Sequence, residues 1–597
     1  MERNSIKKNS PIDNFIWVLK EISKFKKRYV LVLLVDAVLK GVMPIITLLL
    51  TQKLIDLIQY RSAILQKAVF LLVMLFITQL FSEIILIFTN VKLNNYELDF
   101  DRFFQQKIYS KASTLKCKDF ENSYTYDLIN RAQYDANTGV LGSIKIFFSL
   151  TSAIISVVSY SIIILKYNYV LFLIIAIVPV IRYLFEKRFN LKEYILEKEN
   201  TEPNRKASYI SYLLTNSENF KEIKTFGLFD FFIKKYNSIK YNSIKYLCNL
   251  KLIRLNNKRG QAFVMLTILE KLVDFAVTIL IMIQTFNGVL SIGNFVLYNN
   301  SIENLKDSVV SMFSQLSYLY KNSAMLDQIR SFFELSPENT NESGIIIENI
   351  VSIKLDHVSY KYQGKKNYAL KNINLEIKAG ELVIFMGNNG SGKTTLVKII
   401  MGIYDDYSGT VFVNNYDLKT INLNQYRKKV SALFQNYIQY ESTIADNIIY
   451  GDICKQYSKE YVIDILRKIR LEECADDLSQ NLGYQFQEGT QMSIGQWQKL
   501  ALGRTLYREA DIYVFDEPNA SLDLKTESAI LKTIHDETNN KIAFIIMHRF
   551  NYMVEVADQI VVLNNGIIAE CGSHEQLIDE NGLYYDLFQM YKELNES

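Results

Sequence analysis

The stretch MGNNGSGKTT, Met386–Thr395, decides how this chain is read. Gly387, Gly392, Lys393 and Thr394 follow the pattern G-x-x-x-x-G-K-[ST]. ELVIFM (Glu381–Met386) before it reads as a buried strand, and TTLVKIIMG (Thr394–Gly402) after it reads as a helix start, the context this pattern requires. Glycines let the backbone curl so that its N–H groups, with the N-terminus of the helix, face an anion. The plain alternative is a Gly-rich turn carrying a solvent lysine, and strand, loop and helix in register argue against it. Lys393 then suits the β and γ phosphates of a nucleotide, and the Thr394 hydroxyl suits Mg²⁺. Asn388, Asn389, Gly390, Ser391 and Thr395 complete the expected phosphate-binding stretch.

Working outward, DIYVFDEP (Asp511–Pro518) is an apolar strand ending in two carboxylates. Asp516 can orient Mg²⁺ through water, and Glu517 can polarise an attacking water for in-line displacement. Alone such a strand end is a common surface turn; beside a phosphate loop it becomes a hydrolytic site. In QMSIGQWQKLALGRTL (Gln491–Leu506), Ser493 with Gln496 three residues on fits a capping box, which asks for nothing beyond helix amides. A capped helix N-terminus is also a place for a second anion, so the two readings are compatible.

The remainder of the chain sets the context. At 597 residues it exceeds a single core, since one core stops growing near ~250–300 residues. Apolar residues crowd into the first half, with candidate spans at Val30–Leu50, Ala68–Thr89, Ile144–Leu165, Tyr169–Tyr183, Phe263–Gly288 and, less apolar, Ile292–Tyr318. Each approaches the ~20 apolar residues that crossing a bilayer requires. Lys and Arg are frequent before Val30 and within the connections Asn90–Ser143 and Phe185–Gln261, and nearly absent from Lys166–Asn168 and Asn287–Ser291. The positive-inside rule therefore predicts both termini and both long connections in the cytoplasm, although the first outer loop, with Lys53, Arg61 and Lys67, fits less well. A net charge of +4, with basic runs such as KFKKR (Lys24–Arg28) beside apolar segments, suits membrane anchoring and argues against nucleic acid as a partner. Five scattered cysteines lack metal or disulfide spacing. The polar N-terminus has no cleavable signal pattern, so the first span serves as the insertion signal. After Ser331, ELSPENTNES (Glu334–Ser343) reads as a polar linker, and beyond it short β-rich runs alternate with helices.

With the phosphate loop, MSIGQ (Met492–Gln496), FDEP (Phe515–Pro518), ASLD (Ala520–Asp523) and MHR (Met547–Arg549) in this order and spacing, the second half resembles the nucleotide-binding domain of ABC transporters, and the first half resembles the six-helix membrane domain of their exporter branch. The resemblance implies a fold of an all-α six-helix transmembrane domain (1–333), a linker (334–345) and an α/β P-loop NTPase cassette (346–597). It implies ATP and Mg²⁺ as ligands, a multi-pass location in the bacterial cell membrane with the cassette cytoplasmic, and a dimer with a second half-transporter. Under it Tyr362, in SYKYQG, stacks on adenine; Gln435, in LFQN, touches Mg²⁺; His548 contacts the γ phosphate; Asp523 lies at the cassette interface. Ser493, Gly495 and Gln496 reach the ATP of the partner cassette. Each has a bland counterpart: a strand aromatic for Tyr362, a surface amide for Gln435, a structural histidine for His548. Two mixed aromatic and charged stretches, Phe120–Asp135 and Asn219–Phe232, which composition alone reads as solvated helical turns, become coupling helices resting on the cassettes.

The sequence departs from the family where Ile494 replaces the usual glycine of the signature. A branched Cβ there resists positive φ and crowds whatever approaches the backbone, so a loosened partner-side phosphate contact is expected. A homodimer would carry that change twice; a heterodimer would receive an intact signature from the other chain. The homodimer is ranked slightly ahead. Asn519, where threonine is common, is a milder change.

The cargo is less legible. Asp36 and Lys40, four apart, are expected to pair, whereas Glu83, Glu270, Lys271, Asp274, Glu303 and Asp307 have no obvious local partner. Several acids lining a cavity would favour cationic or amphipathic cargo. GQWQKLALGR (Gly495–Arg504) resembles the branch exporting lantibiotics and other bacteriocins, so the expected substrate is a peptide; a lipid or multidrug exporter is the alternative, and a membrane-anchored ATPase switch the non-transport one. A soluble ABC ATPase would lack the spans. With about thirty residues before the first span, no peptidase domain is expected.

Overall fold

The structure, a computed structural model, describes residues 10–59, 65–199, 201–242, 244–484, 486, 488–519, 522–547, 550 and 552–596. It divides into two compact units, one of residues Met1–Leu115 and Asn122–Ser336, the other of Lys116–Glu121 and Pro337–Ser597.

The first unit is all helical. Its long helices are Lys27–Gln59, Leu65–Ser113, Gly142–Tyr167, Tyr169–Glu199, Ile244–Phe286 and Ile292–Glu334; five contain an expected span whole, and the expected span Phe263–Gly288 overruns the end of Ile244–Phe286 by two residues. Among the described residues four are long and apolar enough to cross a membrane: Lys27–Gln59, Leu65–Ser113, Gly139–Tyr167 and Tyr169–Glu193. The helices Ile244–Phe286 and Ile292–Glu334 carry the interspersed charges Glu270, Lys271 and Asp274, and Glu303, Lys306 and Asp307. Phe70, Phe76, Phe81, Ile84 and Ile87 on Leu65–Ser113 are all exposed, as a lipid-facing surface requires. The polar N-terminus hides an element not foreseen: Pro11–Phe25 is an amphipathic helix started by a Ser10–Asp13 capping box. It buries Val18 and Ile22, and the Nδ2 of its buried Asn14 donates to Asp327 Oδ1 at 2.8 Å.

The second unit is an α/β cassette. Its six-stranded sheet runs β10-β9-β3-β8-β7-β6, with β3 (Leu382–Met386), β6 (Val430–Leu433), β7 (Ile512–Asp516), β8 (Ile542–Ile546) and β9 (Gln559–Asn564) parallel and β10 (Ile567–Gly572) antiparallel at one edge. Every residue of β3, β7 and β8 is buried, the continuous apolar pattern of strands covered on both faces. A four-stranded antiparallel sheet, β2 (Leu370–Lys378), β1 (Ser352–Tyr360), β4 (Ser408–Val413) and β5 (Tyr416–Asp417), packs its buried face into the same core as Val383 and Phe385 of β3. Part of the expected linker packs here, because Glu338 takes a two-pronged ion pair from Arg427 at 2.7 and 2.8 Å.

The short segment Lys116–Glu121 also belongs to this unit. Lys116 and Lys118 pair with Asp405 and Asp406 at 2.5 and 2.8 Å, and the Tyr404 hydroxyl donates to Glu121 at 2.9 Å. The first mixed stretch, Phe120–Asp135, is divided: Phe120 and Glu121 belong to the cassette unit, and most of the remainder is the helix Ser123–Ala136, whose Leu128 and Ala132 are buried in the helical unit. The second stretch forms the helices Ser217–Thr225 and Phe229–Asn237 around a turn at Gly227, with Phe220, Phe226 and Phe231 exposed.

Candidate functional site

In parallel sheets, ligand sites form beyond the carboxyl ends of the strands. Here β8 lies between β3 and β7, so the loop leaving β3 and the carboxylates ending β7 fall on one edge, two strand spacings apart. The loop 387–392 leaves β3 and enters the helix Lys393–Ile400. Gly387 and Gly392 have φ of +129° and +111°, and a Cβ on either would lie 2.1 Å from the Leu563 carbonyl oxygen or 2.7 Å from that of Ala369. No other residue fits both demands.

Lys393 is buried, and its Nζ donates to the carbonyls of Gly387 and Asn388 at 2.7 and 3.2 Å, closing the loop on itself. Burial lowers its pKa, opposed by the charges of Glu517 and Asp516. The exposed Thr394 hydroxyl lies 3.4 Å from Asp516 Oδ2. Burial, and then the charge of Glu517, raise the Asp516 pKa, with the Thr394 hydrogen bond acting the other way. A hydroxyl and a carboxylate brought together beneath a phosphate loop are hard oxygen donors of the kind Mg²⁺ takes, few enough to leave places for water and phosphate oxygens. Asn388, Asn389 and Gly390 are exposed along the loop, and Ser391 and Thr395 are buried beneath it.

A cleft of about 310 Å³ is lined by Gln435, Ile494, Gln498, Asp516 and Glu517, among others. Gln435, distant in sequence from the adjacent Asp516 and Glu517, therefore shares one space with them. Tyr362 sits beside the loop, half-buried, its hydroxyl 2.9 Å from Thr395 Oγ1 and its ring edge-on to Tyr360 and Tyr404.

Ser493, Gly495 and Gln496 do not line that cleft. They open the helix Ile494–Tyr507, where the capping box is complete: the Gln496 amide N donates to Ser493 Oγ at 3.2 Å, and the Ser493 amide N donates to Gln496 Oε1 at 2.9 Å. Asp523 likewise caps the helix Leu524–Thr538 through Thr526 and is exposed. Asn519 donates to Glu527 of that helix at 2.5 Å. His548 lies outside the described residues. The backbone strain expected at Ile494 is absent. Ile494 is the first helical residue and is not among the positions of positive φ, so its branched Cβ meets a backbone it tolerates. What remains of the departure is bulk, since the side chain is 67% exposed.

Three contacts escaped the sequence reading. Gln498, 4% exposed, donates from Nε2 to the Glu517 carbonyl at 3.1 Å. The Tyr437 hydroxyl donates to the Ile494 carbonyl at 3.1 Å, and Arg504 reaches the Ile438 carbonyl at 3.2 Å, so the Gln435-bearing loop is tied to the Ile494–Tyr507 helix. One signal was available: Gln498 is an amide on a helix face otherwise formed by Trp497, Leu500 and Ala501.

In the helical unit Asp36 and Lys40 pair as expected, at 2.7 Å, with the Thr89 hydroxyl on the other Asp36 oxygen. The acidic lining does not materialise. Buried Lys306 pairs with Asp274 and lies 3.9 Å from Glu270, Arg182 reaches Glu270 at 3.4 Å, and Lys271 lies 3.8 Å from Asp274 and 3.9 Å from Glu303. Three cations interleave three carboxylates across three helices, which removes the argument for cationic cargo. Glu83 and Asp307 are exposed.

Against known proteins, the ABC transporter family model matches residues 370–520. The chain is 29% identical over 595 residues to the subtilin transport ATP-binding protein SpaT of Bacillus subtilis, covering 97% of this chain and 95% of the relative. It is 28% identical to the nisin transport ATP-binding protein NisT of Lactococcus lactis subsp. lactis, covering 97% and 96%. It is 30% identical to the ATP-dependent lipid A-core flippase of Escherichia coli K12, over 50% of this chain and 54% of the relative. A bacterial Atm1-family ABC exporter solved with ATP bound superposes with a TM-score of 0.75 at 20% identity, over 94% of this chain and 98% of that one, a likeness of fold.

Proposed function

Because this chain joins an ABC transporter ATP-binding domain to a helical membrane domain of exporter fold, we propose that it is one half of a dimeric exporter that moves a peptide of the bacteriocin class out of the bacterial cytoplasm. ATP binding and ATP-driven export follow from the cassette and its relatives. One observation carries the peptide: two bacteriocin transport proteins align along 95% and 96% of their length, whereas the lipid A-core flippase aligns over 54% of its own. A lipid cargo is the second reading.

In this reading Tyr362 stacks on adenine and the amides of Gly387–Thr395 surround the phosphates. Lys393 exchanges its bonds to the loop carbonyls for β and γ phosphate oxygens, whose negative charge offsets the burial that disfavours its ammonium group. Thr394, Asp516 and Gln435 would hold Mg²⁺, which when bound neutralises charge on the phosphate oxygens. Glu517 polarises the attacking water and His548 contacts the γ phosphate. Ser493, Gly495 and Gln496 face the nucleotide of a second copy, and Asp523 the seam between cassettes. Cassettes and both termini lie in the cytoplasm. The exposed aromatics of Asn219–Phe232 suit a cassette of the second copy, and closing the seam reshapes the path through the helices.

The test is ATP-driven uptake of labelled bacteriocin precursors, against labelled lipids, into inside-out vesicles. Wild type accumulates the peptide, and Glu517→Gln binds ATP yet loses uptake and at least about a hundredfold in hydrolysis. Uptake of lipid alone would replace the peptide reading, and unchanged hydrolysis by Glu517→Gln would remove that residue from its role.

A further inference from the structure

Glu517 has φ of +54°, in the left-handed region that a residue with a Cβ avoids. Pro518 follows it and narrows its backbone further. Hydrogen bonds to two other elements flank this conformation. The Glu517 amide donates to the Ile546 carbonyl on β8 at 3.1 Å, and its carbonyl accepts from Gln498 Nε2 at 3.1 Å. The first is sheet backbone and survives any side-chain change. The second comes from a side chain on another element, the helix Ile494–Tyr507, and can move with it.

Gln498 is nearly fully buried on an apolar helix face, where an amide is costly unless hydrogen-bonded. It lines the same cleft as Asp516 and Glu517. Its helix opens at Ser493, and the carbonyl of its first residue, Ile494, accepts from Tyr437 of the loop bearing Gln435.

We propose that Gln498 is a positioning residue for Glu517: its amide fixes the peptide that carries the hydrolytic carboxylate, so that displacement of the helix headed by Ser493 is passed directly to the carboxylate of the same chain. The inference rests on the reading of Glu517 given above. Its consequence is communication between the two nucleotides of a dimer. Ser493 attends to one, Glu517 to the other, and the buried Gln498 amide joins them within one chain.

The test uses the full-length transporter in lipid vesicles. Gln498→Met keeps the shape and removes the donor. It lowers kcat by about tenfold to a hundredfold, because small misplacements of a reacting group cost that much, and leaves KM and the affinity for a fluorescent ATP analogue within about twofold. In single turnovers on a Glu517→Gln background the same substitution adds no further loss. Wild-type kcat in Gln498→Met, or an equal loss with and without the Glu517 carboxylate, overturns the inference while leaving Glu517 in place. Unchanged hydrolysis by Glu517→Gln strikes the underlying reading instead.

Discussion

At the scale of the residue, side chains proposed for the nucleotide site already hold structural positions here. Ser493 and Gln496 satisfy each other as a helix cap, and Asp523 caps a second helix, yet these are the residues the family pattern reserves for a partner nucleotide and the seam. Capping and anion binding both follow from unpaired amides at a helix N-terminus, so one residue type serves both. Asp516 shows what such a site costs. Its folded pKa is raised above the ordinary value, so its ionised form destabilises the fold. That cost is fully present above the raised pKa and vanishes below the unfolded value of 3.8. At neutral pH, Asp516→Asn therefore raises the melting temperature of the nucleotide-free protein while abolishing Mg²⁺-dependent hydrolysis. Scanning calorimetry with an ATPase assay checks both, and a lowered melting temperature would contradict the sign.

At the scale of the element, pairing across helices corrects what each helix suggests alone. Glu270 and Asp274 on Ile244–Phe286 read as an acidic stripe, but Lys306 of Ile292–Glu334 and Arg182 of Tyr169–Glu199 pair with them. Isolated charges in a bilayer cost ~2.5–3.5 kcal/mol each at a helix centre, so the helices gain by associating in this register. Removing one member leaves an uncompensated buried charge. Lys306→Met is expected to destabilise the assembled transporter by ~3–5 kcal/mol. Lys306→Met with Asp274→Leu recovers a large part, since both charges leave together. Thermal unfolding in detergent reads this, and equal losses in the single and double variants would show that the pair is not what holds these helices. Local pairing, as in Asp36 and Lys40, needs only spacing and was legible; pairing between helices far apart in the chain was not.

At the scale of the whole molecule, Ile494 and Ser493 bear on assembly. With no backbone strain at Ile494, a second copy of the same chain can meet an unstrained helix end, and the bulk of the exposed side chain is the remaining obstacle. On a background freed of its native cysteines, Ser493→Cys and Asn389→Cys carried on separate copies should crosslink when ATP is trapped by Glu517→Gln, and not without nucleotide. Crosslinking of this chain alone identifies a homodimer. Absence of the product in every nucleotide state would end the face-to-face arrangement for identical copies and point to a different partner chain.

The phosphate loop, the strand carrying Asp516, the signature helix with its cap and the apolar spans are all local patterns, set by glycine conformation, strand burial and helix periodicity over a few consecutive residues, and the sequence by itself determined them. Which side chains meet was decided only by the tertiary structure. Gln498 stands 19 positions before Glu517, and Lys306 more than a hundred after Arg182. Lys116–Glu121 joins a cassette whose other residues begin at Pro337. A hydrogen bond or ion pair acts over about 3 Å and is indifferent to separation along the chain. Contacts of this kind exist only once the sheet order and the helix packing have brought their partners together.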